Sequence, residues 1–310
     1  MMTQTYRLAA LLLLMVLPDL ALAATCSCAG TPLMGALNTS TTEQGDLYFS
    51  LTSEFHEISD LVQGRKQIDD ETGRERSSLS QALAFSYGLS DRWALSGLFT
   101  YIEHEREVRS SFFGSKQRTS GLGDSVLMLR YTPLYITPFS RHELSLGMGA
   151  RLPIGKDDAG GLIRFSEDMQ PGTGAAGAIL WGQHRLAFNQ AATRTLTSSI
   201  FYTRNNWENE RDYAFGHQLV AGVDFIQNLN TRFSYAAGLR YQHTTSDRRL
   251  GFEVPNTGGQ WLDFTPAFNY SLDNGLDINL SGRIPLDRKL DGAIQFTTSY
   301  SYALSLTYGF

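Results

Sequence analysis

The sequence predicts an all-β fold: a transmembrane antiparallel up-and-down β-barrel of about twelve strands. Three observations lead there. A strict two-residue alternation returns again and again from residue 46 to the end of the chain. The segments between these stretches are by turns short and long. After residue 24 there is no run of about 18 apolar residues, so no spanning helix competes with the strands.

The alternation is plainest in the closing stretch FTTSYSYALSLTYGF, where Phe296, Tyr300, Tyr302, Leu304, Leu306, Tyr308 and Phe310 share one parity. Ser299, Ser301, Ala303, Ser305 and Thr307 occupy the other. Taken in order, the first strand lies near 46–58. The second carries Leu79, Leu83, Phe85, Tyr87 and Leu89, and the third Trp93, Leu95, Phe99 and Tyr101. The fourth sets Leu127, Leu129 and Tyr131 against Asp124, Met128 and Arg130; the fifth sets Leu144, Leu146, Met148 and Leu152 against Glu143, Ser145 and Arg151. A Gly/Ala-rich strand near 173–181, without a clear polar face, and another near 184–194 follow. Then come Tyr213–Phe225 with Asp224 on the polar side, Arg232–Tyr241 with Arg240, Leu262–Leu272 with Asp263, and Leu276–Ile284 with Arg283. Residues 293–310 close the set.

The short connectors are Ser90-Asp91-Arg92, Gly182-Gln183, Asn228-Leu229-Asn230 and Asp273-Asn274-Gly275, with 132–140 a longer member; their residues are those that turns favour. The long ones are 59–77, 104–119, 153–172, 195–211, 244–258 and 285–292. An even strand count puts both termini at the short-turn, periplasmic end. An oily parity opposite Ser, Thr, Gly, Asn, Asp and Arg suits lipid outside and a wet lumen within, and only a closed barrel pairs every backbone group at bilayer depth. Trp93, Tyr131, Tyr213, Phe225, Phe233 and Tyr241, near strand ends, fit interfacial girdles.

At the N-terminus Arg7 precedes the apolar run LAALLLLMVLP, and Ala21-Leu22-Ala23 supplies a cleavage site. This reads as a secretory signal peptide over 1–23, followed by a periplasmic arm over 24–45 and the barrel over 46–310. The rival reading makes Cys26 an acylated lipoprotein residue. Cys26-Ser27-Cys28 could hold a soft metal, form a small disulfide, mark lipidation or do nothing. The net charge of -5 and the lack of a basic patch give no reason to expect nucleic acid.

The ending Tyr308-Gly309-Phe310 resembles the C-terminal signature of Gram-negative outer-membrane proteins. The resemblance implies an outer-membrane location and recognition of Tyr308 and Phe310 by the barrel-assembly machinery. Gly121-Leu122-Gly123-Asp124 opening one strand, with Arg151-Leu152-Pro153-Ile154-Gly155 ending the next, is similar to the transporter barrels grouped as the "MetA-pathway of phenol degradation" family.

The candidate site is the inward row of charges: Asp124, Arg130, Glu143, Arg151, Asp224, Arg240, Asp263 and Arg283. These would select among small-molecule solutes in a pore, or else brace a narrow lumen through ion pairs. Symmetric hairpins would set Arg130 near Glu143 and Gln218 beside Arg240, and loops 153–172 or 104–119 are candidate constrictions. His56 with Glu54, and His104 between Glu103 and Glu105, are read as solvated groups where strands meet the outer surface, near lipopolysaccharide. No metal, cofactor or catalytic residue is expected; His217 and His243 have hydroxyl neighbours but no hydrolase motif. The expectation is a monomeric passive channel or transporter in outer-membrane lipid. The alternatives are a closed barrel serving as anchor or adhesin and, third, a hydrolase.

Overall fold

A computed structural model describes residues 43–109, 114–161, 164–205 and 207–310. It is a closed antiparallel barrel of twelve strands. They are β1 (Leu47–Glu57), β2 (Arg74–Gly88), β3 (Trp93–Arg109) and β4, which runs as Gly114–Leu122 and then Ser125–Leu134. Next come β5 (His142–Leu152), β6 (Gly177–Ala187), β7 (Arg194–Arg204), β8 (Gln218–Asn228) and β9 (Phe233–Thr244). β10 (Gly259–Ser271), β11 (Leu276–Leu290) and β12 (Tyr300–Gly309) complete the wall. Each strand pairs with its sequence neighbours, and β1 closes the ring against β12, from Tyr48 opposite Gly309 to Glu57 opposite Tyr300. The expected signal peptide, Cys26 and Cys28 lie outside the described residues.

Alternation does the sorting. On β12, Tyr300, Tyr302, Leu304, Leu306 and Tyr308 are exposed on the outer face, with Phe310 beyond them, while Ser301 is buried within. On β1, Phe49 and Leu51 face out and Ser50, Thr52, Glu54 and His56 face in. Trp93 and Tyr131 meet at 4.7 Å on the outer surface near the short turns, where girdle aromatics belong. Those turns are held locally: the Asn230 side chain accepts from the Arg232 and Phe233 amides at 2.8 Å each, and Gly275 adopts the left-handed φ of 84°.

The strand count agrees with the sequence reading, but two strands sit elsewhere. Gly182-Gln183 is the middle of β6, paired with Ile200-Ser199 on β7, and the turn falls after Ala187. β7 occupies a stretch expected to be a loop. The expected loop 104–119 is largely hairpin, because β3 runs on to Arg109 and pairs with Gly114–Leu122. Tyr213 and Phe215 belong to the loop before β8, where both are buried. Phe296 is not on the lipid face either. Gln295–Thr297 leaves the barrel to pair with Asp60–Gln63, which pairs with Lys66–Ile68, and Phe296 packs there against Ile58 and Leu61. This sheet lies at the long-loop end of the wall, following Glu57 of β1 and joining β11 to β12.

The lumen is less uniformly wet than its polar parity suggests. Ala82, Ala84, Leu98, Val126, Met128, Ile179, Trp181, Phe201 and Val220 form one apolar cluster on the inward faces of β2–β4 and β6–β8. Gly147 makes room for it: a side chain there would come within 3.1 Å of both Met128 and Trp181. The wall has one irregular seam. Between β10 and β11 the pairing skips Thr265-Pro266 opposite Gly282-Arg283, and a bulge falls at Leu262-Asp263. Pro266 has no N–H to offer that ladder.

The turn into β2 carries a pH-dependent contact outside the membrane. Burial would raise the Asp70 carboxyl, but the Arg74 guanidinium and amide and the Thr72 hydroxyl and amide outweigh it, holding the pKa at about 2. A depressed carboxylate pKa adds stability that is complete above the unfolded value and vanishes as pH falls through the folded one. Arg74, whose guanidinium lies 4.5 Å from the Phe296 ring, ties this turn to that small sheet. Protection of the 69–74 turn from pepsin is therefore expected to persist at about pH 4 and to be lost toward about pH 2. An Asp70→Asn variant should show no such dependence.

Candidate functional site

All eight predicted lumen residues point inward, at three levels. Nearest the outside, the loop between β5 and β6 (residues 153–176, of which 153–161 and 164–176 are described) folds down into the barrel. Its short helical turn Glu167–Met169 is the contact point. Arg76 on β2 donates to the Asp168 carboxylate at 2.8 Å and also to the Asp168 carbonyl, while Arg106 on β3 lies 3.7 Å from the same carboxylate. Thr119 donates to the Met169 carbonyl at 2.6 Å, and Met169 is fully buried. Asp124, in the break of β4, accepts from the Gly155 amide at 3.2 Å and from the Thr173 amide and hydroxyl at 3.0 and 2.5 Å. Arg151 lies 3.6 Å from Asp124. Gly155 and Gly172 are back to back here, and a Cβ on Gly155 would lie 2.7 Å from backbone atoms of both Gly123 and Gly172. Beneath the loop is a cavity of about 100 Å³ lined by Arg76, His104, Asp124, Arg151 and Gln218 among others. Of the two expected constrictions, then, 153–172 enters the lumen and 104–119 mostly extends the wall.

At mid-height a chain of ionic and polar contacts crosses the wall. The His56 Nε2 is 3.0 Å from Glu54, Glu54 is 3.3 Å from Arg283, and Arg283 is 4.0 Å from Asp263. Asp263 pairs with Arg240 at 3.0 Å, and Arg240 donates to Gln242 at 2.5 Å. Glu54 and His56 are thus members of the lumen network and not solvated surface groups. His104 too is buried inward. The reason is parity: His56, Ser78 and His104 are successive cross-strand partners on the inner face of β1, β2 and β3. This row places a hydroxyl beside an imidazole and a carboxylate, yet the Ser78 hydroxyl has no hydrogen-bond partner. No group of three or more His, Cys, Asp or Glu able to hold a metal occurs among the described residues.

The periplasmic half is open. A cavity of about 560 Å³ is lined by Ser50, Thr52, Gln183, Thr197, Ser199, Asp224 and Asn269 with further polar neighbours. Glu143 and Arg130 lie on the β4–β5 side, near enough for their charges to interact although the ladder does not set them opposite one another. The ladder puts Arg130 opposite Gly147, because the hairpin turns at Thr137–Ser140 and not at the middle of 132–140. Glu143 instead sits opposite Arg185, 3.8 Å away, and Arg130 hydrogen-bonds Ser86 at 3.3 Å with its guanidinium 5.8 Å from the Trp181 ring. Likewise Gln218 lies opposite Thr244, and Arg240 opposite Gly222 on one side and Asp263 on the other.

The sequence reading missed Arg76, Asp168 and Arg185. Arg76 shares parity with Ser78 and Ser80, so extending the β2 alternation backward would have found it. Arg185 continues the inward parity of Gln183 once β6 is drawn as one strand. Asp168 gives no periodic signal.

No protein-family model matches the chain, and no curated protein matches its sequence. Solved structures do match in shape. The COG4313 outer membrane channel from Pseudomonas putida F1 superposes with a TM-score of 0.68 at 13% identity, covering 88% of this chain and 98% of that one. The β domain of the Bordetella autotransporter BrkA gives 0.48 at 12% identity, over 86% of this chain and 100% of that one. The Pseudomonas putida toluene transporter TodX gives 0.46 at 9% identity, over 93% and 94% respectively. The fold is that of an outer-membrane β-barrel.

Proposed function

We propose that the barrel is a passive outer-membrane channel for small molecules, closed from the extracellular side by the inserted loop 153–176. The observation that carries this reading is the polar cavity of about 560 Å³ in the periplasmic half, with the other end of the lumen occupied by a loop held largely through side chains of the wall. A lumen needed only for bracing gains nothing from an open chamber of this size, which leaves its polar groups to water. Asp124, Arg130, Glu143, Arg151, Asp224, Arg240, Asp263 and Arg283 would set which solutes pass, as charged pore linings do. Tyr308 and Phe310 would serve as the signal for the assembly machinery, and the chain would act as a monomer among outer-membrane lipid and lipopolysaccharide.

A closed barrel acting as anchor or adhesin is favoured by one feature, the small sheet formed by Asp60–Gln63, Lys66–Ile68 and Gln295–Thr297. Planar-bilayer recording separates the two readings. The purified protein is expected to give small, infrequent conductance steps, and a variant with residues 156–172 replaced by a short Gly/Ser linker should give larger and steadier ones. Bilayers that stay sealed with both proteins, each shown to be folded by heat-modifiable gel migration, would overturn the channel reading.

A further inference from the structure

Three arginines and three carboxylates line the periplasmic chamber, and they are not matched one to one. Three cations line it, and each has an acidic partner: Arg185 with Glu143 at 3.8 Å, Arg240 with Asp263 at 3.0 Å, and Arg283 with Glu54 at 3.3 Å. Two further carboxylates line it, Asp224 and Asp277, and neither has an ion-pair partner among the described residues. Asp277 is near the periplasmic end and Asp224 deeper in the chamber.

Asp224 also sits in a built setting. Thr197, Asp224, Gly238 and Thr265 are successive cross-strand partners on the inner face of β7 to β10. Thr265 donates to Asp224 Oδ1 at 3.2 Å. Gly238 leaves room beside it: a Cβ there would force that carboxylate to shift. On the other flank the Thr197 hydroxyl, on a side chain 5% exposed, has no hydrogen-bond partner although it lines the chamber. A buried hydroxyl without a partner calls for an unseen one. A carboxylate at the chamber and an unsatisfied hydroxyl on the neighbouring strand are groups of the kind that hard cations take as ligands.

We infer that Asp224, with Thr197 beside it, is a binding site for a monovalent cation, an alkali ion or a primary ammonium group, and that the chamber passes cations in preference to anions. This rests on the channel reading and names the solute class for that same chamber. The low-dielectric wall focuses the field of the unmatched carboxylates into the chamber, raising the local cation concentration. Asp277 near the entrance would draw cations in and Asp224 would hold them.

Two measurements test it. In a KCl gradient across a planar bilayer, the loop-replaced protein is expected to show a reversal potential favouring potassium several-fold over chloride. Asp224→Asn should lower that preference several-fold, Asp277→Asn should lower it less, and Asp224→Glu should largely keep it. Substituting methylammonium chloride for KCl shows whether ammonium groups pass as alkali ions do; permeation by either cation supports the inference. Anion preference, or a preference that Asp224→Asn leaves unchanged, overturns the inference while the currents themselves uphold the channel. If bilayers stay sealed, the channel reading falls and the site is judged by rubidium soaked into crystals of the full chain. An anomalous peak between Asp224 and Thr197 supports the site, and a map without one overturns it.

Discussion

Replacing Arg76 with alanine is expected to unseat the inserted loop and raise channel open time by about tenfold or more. Arg76 is the hub of the loop's attachment, reaching both the carboxylate and the carbonyl of Asp168 from a buried position on β2. Removing one partner of a buried pair costs about 3–5 kcal/mol, because the other charge is left without compensation. Here Arg106 lies 3.7 Å from Asp168 and takes over part of the role, so a loss of about 2 kcal/mol is the fair expectation. Since about 1.4 kcal/mol is a factor of ten, that moves the closed-to-open ratio by about thirtyfold. The loop keeps its own internal ties, Arg164 to Glu167 at 2.8 Å and Gln170 to the Ala159 backbone at 2.7 and 3.0 Å, so it should leave as a unit. Single-channel recording reads the result directly. Arg109→Ala, which breaks only exposed pairs to Glu75 and Glu107, is the matched control and should leave the open time unchanged. An Arg76→Ala protein as quiet as the parent, but folded, would mean that the loop is fixed by its other contacts, those of Thr119 and Asp124 among them.

The loop illustrates which parts of this molecule can be read from the chain. The barrel wall is legible because lipid demands an oily face, and alternation follows from strand geometry on every strand where the two faces differ in polarity. On β7 the alternation is interrupted: Leu196, Ile200 and Tyr202 face out opposite Thr195, Thr197, Ser199 and Thr203, but Ser198 points outward and Phe201 inward, so RTLTSSIFYTR reads as a polar loop. Gly182-Gln183 misled for the complementary reason. They have the composition of a tight turn, yet they lie at mid-strand, paired with Ile200 and Ser199. His56 and His104 read as surface groups because they fall where strands are expected to meet the outer surface. Parity alone would have turned both histidines inward, as it does. The attachment of Asp168 to Arg76 spans ninety-two residues of sequence separation and carries no period, so only the folded chain reveals it.

Asp263→Ala is expected to be the most destabilising single change in the lumen. The Asp263 and Arg240 side chains are 4% and 8% exposed, and Arg240 also leans on Gln242. The aspartate further faces Arg283 at 4.0 Å, so its loss leaves two guanidinium groups with one remaining carboxylate, Glu54, which touches only Arg283. The expected cost is about 3–5 kcal/mol, read as a lower urea midpoint for the heat-modifiable folded band. The position adds to it, because the bulge at Leu262-Asp263 and the skipped pairing around Pro266 leave this seam with fewer backbone bonds to absorb a shift. The reason is charge and not shape, and a second variant separates the two. Arg240→Met combined with Asp263→Leu removes both charges at similar volume, and should recover most of the midpoint, since replacing a buried pair by apolar groups is often neutral or stabilising. A double variant as unstable as Asp263→Ala alone would locate the stability in the shape of this seam instead.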